Sequence, residues 1–238
     1  GVPDWEIDPE FKGDVFTFAR VIYDSVRWDG RRGGGWWVDW PASDLNFSFR
    51  LQQLTSMQVN PSTRYLPLTD PQLSDYPFIY MVEPGSLVFS DEEVKALRHY
   101  LDNGGFLMVD DFWGEAEWQN WEMEIARVFP PEEYPIVDLP LEHPIFNIVF
   151  HLEEKPQVPT EWFWTRSGGQ TSERPDSGEV HYRGIYDKEG RLMMVICHNT
   201  DIGDGWEREG ENVAYFNAIS AKKAYPIGIN IVVYAMTH

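Results

Sequence analysis

The residues best suited to chemistry are carboxylates and imidazoles placed where short apolar runs end. Glu83 follows Phe78-Ile79-Tyr80-Met81-Val82, and Asp110 and Asp111 follow Phe106-Leu107-Met108-Val109. His198, Asn199, Asp201 and Asp204 follow the run that closes on Cys197, while Asp39 and Asp44 flank a loop rich in Gly and Trp. Carboxylates at neighbouring strand ends can converge within a few ångströms, where they raise one another's pKa for general-acid work or hold a hard cation. Asp110 or Asp111 as base or nucleophile, with His143 or His198 as acid, would make a hydrolase. A glycan substrate would suit such a pair of carboxylates. The same oxygens would suit a divalent metal.

Each of these residues also has a plainer use. Asp110 or Asp111 can cap the helix that begins near Glu115, and Asp44 can cap the helix it opens. His143, before Pro144, can serve as a loop histidine. The stretch 201–207 has the Asp and Gly content of a calcium loop without EF-hand spacing. Cys197 lies at the end of an apolar run, where a buried, inert thiol is the default. Gly33-Gly34-Gly35 has no following Lys and is no phosphate loop. Trp28, Trp36, Trp37 and Trp40 crowd one Gly-rich segment, and Trp113, Trp118 and Trp121 follow the central run. Rings of this size stack on sugars or partners when they are not buried, so Trp36, Trp37, Trp113 and Trp206 join Asp39, Asp44, Glu83, Asn199 and Asp201 as candidate binding residues.

The elements that must position these groups read as alternating strands and helices. A first strand is expected over 16–23, then a helix from Ser43 or Asp44 with Leu45, Phe49, Leu51 and Leu54 on its buried face. Short strands are expected at 57–59 and 134–137. Buried strands are expected at 76–83 and 106–109, since all-apolar runs suit parallel strands covered on both faces. Ser90 with Glu93 forms a capping box for a helix that stops at Asn103-Gly104-Gly105. A helix over 115–128 ends at Pro130-Pro131, and 181–187 with 191–197 forms a strand-turn-strand. Residues 153–179 form the longest irregular stretch, a flap or insertion. Asn212 opens a closing helical pattern that breaks at Pro226 and resumes over 227–236. The order predicts an α/β fold, a three-layer α/β/α sandwich with a mainly parallel sheet, as one domain over 1–238 with residues 1–13 as an arm. Ligands then belong outside the carboxyl ends of the strands.

Composition bounds the partners. Lys and Arg number 19 against 39 Asp and Glu, a net charge of -20, which argues against a basic face for nucleic acid. A single cysteine excludes an intrachain disulfide and a cysteine metal cluster. No apolar run reaches the ~20 residues of a membrane span. The chain opens on Gly1-Val2-Pro3-Asp4 without an initiator Met, so a removed secretory leader, and hence a periplasmic or secreted location, is expected.

Five motifs taken together resemble an uncharacterised bacterial domain family of mostly exported proteins. They are Phe18-Ala19-Arg20-Val21-Ile22-Tyr23, the segment 37–47, Gly104-Gly105-Phe106-Leu107-Met108-Val109-Asp110-Asp111, Leu141-Glu142-His143-Pro144-Ile145-Phe146, and the segment 199–207. The resemblance implies a class I glutamine amidotransferase-like, flavodoxin-like fold. It also implies an envelope role beside MoxR-type ATPases and von Willebrand A-domain proteins. Amidotransferases place a cysteine at the strand-to-helix elbow, where this chain has Asp110 and Asp111, so glutaminase chemistry is not expected. The resulting expectation is an exported domain that binds a small ligand, glycan or envelope protein. No cofactor is required, although a divalent metal would fit.

Overall fold

Apolar residues alternate faces along the central strands of the computed structural model, and the alternation builds two cores on one sheet. The structure describes residues 2–11, 13–26 and 35–238. Trp28 and most of the Gly-rich loop lie outside the described residues. The strands are β1 (Ala19–Ile22), β2 (Arg64–Pro67), β3 (Phe78–Val82), β4 (Phe106–Asp110), β5 (Val137–Asp138), β6 (His181–Tyr186) and β7 (Leu192–His198). They form one seven-stranded sheet in the order β2-β1-β3-β4-β7-β6-β5. Pairs from β2 to β7 across the sheet are parallel, and β6 is antiparallel to both β7 and β5.

The helices are α1 (Ala42–Leu54), α2 (Asp91–Asp102), α3 (Gly114–Val128), α4 (Glu161–Ser167), α5 (Ile202–Glu207), α6 (Val213–Tyr215) and α7 (Tyr225–Thr237). Phe78, Tyr80, Phe106 and Met108 face a core shared with α1, α5 and α7. Ile79, Met81, Leu107 and Val109 face a second core shared with α2 and α3. Every residue of β3, β4 and β7 is buried, as strands covered on both faces require. Among the described residues no helix is long and apolar enough to cross a membrane.

The capping box forms as the sequence predicts. Ser90 Oγ accepts from the Glu93 N–H, and the Glu93 carboxylate accepts from the Ser90 N–H at 2.7 Å. Ser90→Ala should therefore cost about 1 kcal/mol in urea denaturation; an unchanged midpoint would mean the box is dispensable.

Several expectations change. On α1 only Leu51 of the four predicted apolar positions is fully buried; the inward face is Ser43, Asp44, Phe47, Ser48 and Leu51. Asp44 caps nothing, because a buried ion pair claims it. The strand expected at 57–59 reduces to a single bridge, Val59 to Phe16. The edge strand β2 lacks an apolar run, since only Leu66 of its four residues is buried, and Pro67 is tolerated there as on any edge. The irregular region contains α4. The closing helix does not break at Pro226: a π-helix over Phe216–Ala224 runs into α7, whose first turn takes the Pro where a missing N–H is tolerated.

Candidate functional site

Four non-glycine residues among those described have left-handed backbones: Asp39 (φ 62), Glu83 (φ 51), Asp111 (φ 58) and Asn199 (φ 62). Such conformations cost about 1–3 kcal/mol each and persist only where the surroundings enforce them. Glu83, Asp111 and Asn199 stand directly after β3, β4 and β7, and Asp39 precedes α1. Each turn swings its residue off the carboxyl edge of the sheet.

Asp39, Glu83, Asp111, Trp113 and Asp201 share the wall of one cavity of ≈ 580 Å³ with Thr160, Glu161, Trp162, Glu173, Arg174, Asp204 and Arg208. One carboxylate oxygen from each of Asp39, Asp111 and Asp201 lies within 4.8 Å of the other two. A second trio, Asp39, Asp204 and Glu207, meets the same distance. The two trios differ in counter-charge. Arg208 lies 2.7 Å from Glu207 and 3.6 Å from Asp204. The first trio has no ion pair among the described contacts, and Asp39 Oδ2 is sealed from solvent without a hydrogen-bond donor.

Electrostatics follow from that crowding. Burial pushes the Asp39, Asp111 and Asp201 carboxyls well above the ordinary range. Neighbouring carboxylates push further: Asp204 on Asp39, Glu83 on Asp111, and Asp111 on Asp201. Asp204 rises to about 6, mainly by burial.

The supporting bonds show why these residues converge. The Trp113 indole N–H donates to Asp111 Oδ1 at 3.2 Å. Asp201 caps α5, accepting from the Asp204 N–H at 2.8 Å, so the stretch with the composition of a calcium loop is a capped helix. Asp204 Oδ2 accepts from the Glu161 N–H at 2.6 Å, which ties α4 of the irregular region to α5. Arg174 donates to the Trp113 carbonyl at 2.9 Å and pairs with Glu117, fastening the same region over the start of α3.

Asp110 lies beneath the cavity. Its Oδ2 accepts from the Tyr80 hydroxyl at 2.8 Å and the Gly203 N–H at 3.0 Å. Neither Asp110 nor Asp111 caps α3, whose cap position is Trp113; Asp110 instead anchors the start of α5. Burial raises its pKa to about 7.

The remaining predicted site residues lie elsewhere. Asp44 is fully buried against Arg20. Asn199 accepts from the Gly114 N–H and donates to the Glu179 carbonyl, fixing loops behind the cavity. His198 turns to the α3 side, donating from Nε2 to the Gly114 carbonyl at 3.1 Å and packing at a tilt against Phe112 and Trp118; burial lowers its pKa to about 4. His143 contacts the Tyr186 hydroxyl at 3.2 Å. Tyr186 pairs with Leu192 and Tyr182 with Cys197, so His143 stands at the amino edge of β7, roughly 17 Å along the strand from the carboxylates. Among the described hydrogen bonds neither His143 nor His198 meets Asp110 or Asp111. Trp206 is fully buried in the core, Trp36 stacks on Tyr65, and Trp37 is 63% exposed outside the cavity wall. Cys197 is buried, and burial raises its thiol pKa; the elbow after β4 carries no thiol.

Sequence reasoning missed Trp162, Glu161, Glu173 and Arg174. Their signal was the irregular stretch itself, which folds over the carboxyl edge.

A family profile described as "Domain of unknown function (DUF4159)" matches residues 17–236, and the chain belongs to that family. Comparison with curated proteins gave no match.

Proposed function

We propose that this member of the DUF4159 family binds a divalent cation on Asp39, Asp111 and Asp201 and uses it to hold a ligand in the cavity above. The observation that carries the reading is the sealed Oδ2 of Asp39, which among the described residues has no donor and sits in a trio of carboxylates with no ion pair. A buried carboxylate must find a proton, a donor or a cation. Two oxygens on one calcium ion, at about 2.4 Å each, stand at most about 4.8 Å apart, a limit that every pair in the trio meets. The Trp113 indole, bonded to Asp111, orients one of the three carboxylates from behind.

The reading keeps the chain among glutamine amidotransferase-like folds. Its support is the strand order and the left-handed residue directly after the central strand. An aspartate at that elbow replaces nucleophilic chemistry with ligation. Export, and association with MoxR-type ATPases and von Willebrand A-domain proteins, is supported by the sequence resemblance.

Calorimetric titration of chelator-treated protein with calcium, magnesium and manganese tests the site. One of these ions should bind with a single-site isotherm. Asp111→Asn or Asp201→Asn should weaken it by ~100-fold or more, at least what losing a group behind a metal ligand costs. Absence of heat with all three ions would refute the site.

A further inference from the structure

We infer that the ligand recruited to this cavity is a neutral saccharide, chelated through its hydroxyls by the cation and stacked on Trp162; the inference rests on the cation reading above. Trp162 lies on the cavity wall, 61% exposed, and belongs to neither core. The Arg166 guanidinium sits 4.4 Å from its centroid and covers one face of the ring. The base of α4 is fixed by its Thr160 cap and by the bond from the Glu161 N–H to Asp204. A large, oriented, exposed aromatic face beside a polar cavity is an apolar platform with no structural duty, of the kind that marks a binding site.

Charge selects the class of ligand. Both arginines on the wall are committed: Arg174 to Glu117 and the Trp113 carbonyl, Arg208 to Glu207, Asp204 and Glu211. Among the described residues, the carboxylates around them leave an anionic ligand only the metal and Arg166, at the rim beside Trp162, to offset their repulsion. An organic cation would compete with the metal for the same three carboxylates. A neutral polyol does neither. Calcium takes six to eight oxygens, so three protein ligands leave positions that adjacent hydroxyls can fill. The C–H face of a sugar ring then covers the indole. A cavity of ≈ 580 Å³ is of the size that holds small ligands.

The test titrates calcium-loaded protein with chitohexaose, cellohexaose and maltohexaose, following tryptophan fluorescence and heat. At least one hexaose should bind with a Kd below ~1 mM, the range set by a few ligand–metal and stacking contacts. EDTA should abolish binding. Trp162→Ala should weaken it at least ~10-fold, the scale of one lost aromatic contact, while calcium affinity stays unchanged. Trp162→Tyr should retain most of it. Calcium binding without a response to any hexaose, or hexaose binding indifferent to Trp162→Ala, would overturn the saccharide and leave the metal site standing. Spermidine binding to the metal-free protein in place of calcium would overturn both.

Discussion

Replacing Arg20 with Met should destabilise the protein by about 3–5 kcal/mol, the cost of stranding one member of a buried ion pair. Arg20 is fully buried on β1 and meets Asp44, also fully buried, through two guanidinium nitrogens. The same guanidinium donates to the Ser43 hydroxyl and to the carbonyls of Trp36 and Val38. One side chain thus joins the central sheet to the start of α1 and to the loop that delivers Asp39. At 2–4 °C per kcal/mol for a chain of this size, the melting temperature should fall by roughly 6–20 °C. Lys keeps the charge but not the fork, so Arg20→Lys should lose most of the same stability. Pairing Arg20→Met with Asp44→Leu should recover part of the loss, because no buried charge then stands alone. A single-variant loss under ~1 kcal/mol in guanidinium denaturation would show that the loop carbonyls and Asp44 find other partners.

Raising the pH of metal-free protein from about 6.5 to 8 should lower its stability, by about 1 kcal/mol through Asp110 and further through the other raised carboxyls, and a bound divalent cation should reduce the effect. The sign follows from the direction of the shifts. Asp110 titrates near 7, Asp204 near 6, and Asp39, Asp111 and Asp201 well above the ordinary carboxylate range. A carboxyl whose folded pKa is raised contributes stability below its unfolded value near 3.9 and loses it as pH climbs through the folded one. For Asp110 alone the full difference is on the order of 4 kcal/mol, most of it lost below pH 6.5 and about 1 kcal/mol of it between pH 6.5 and 8. His198 works the other way: its folded pKa of about 4 gives stability above about 6.5 that is lost as pH falls. The two trends oppose one another between pH 4 and 6.5, and the carboxylates act alone above it. Urea denaturation in EDTA at pH 6.5 and 8 measures the fall. Equal midpoints at the two pH values would contradict the picture of a crowded acidic site, and Asp111→Asn should flatten the slope.

The strand ends were legible in the sequence because apolar runs closed by carboxylates are a local signal. Asp39, Glu83, Asp111, Trp113 and Asp201 accordingly reach the same cavity. Side-chain direction was not legible. His198 continues β7 by one residue and so turns toward α3, and the sequence does not show which face that position takes. Asp44 had the position of a helix cap, yet a partner 24 residues away took it, a pairing that only the tertiary structure creates. His143 has a local Pro and a plausible role, but the antiparallel turn of β6 carries its neighbour Tyr186 to the far edge. Trp162 was hidden because residues 153–179 lack the periodicity that would announce α4.

Terbium luminescence is the most direct test of the central claim. Tb³⁺ takes oxygen ligands as calcium does, and Trp113, bonded to Asp111, stands close enough to sensitise it. Excited through tryptophan, the wild-type protein should give saturable terbium emission that calcium displaces. The emission should disappear in Asp111→Asn and Asp201→Asn, and persist in Glu207→Gln, whose carboxylate is already served by Arg208. Emission from Asp111→Asn equal to that of the wild type, or lost only in Glu207→Gln, would contradict a cation seated on Asp39, Asp111 and Asp201.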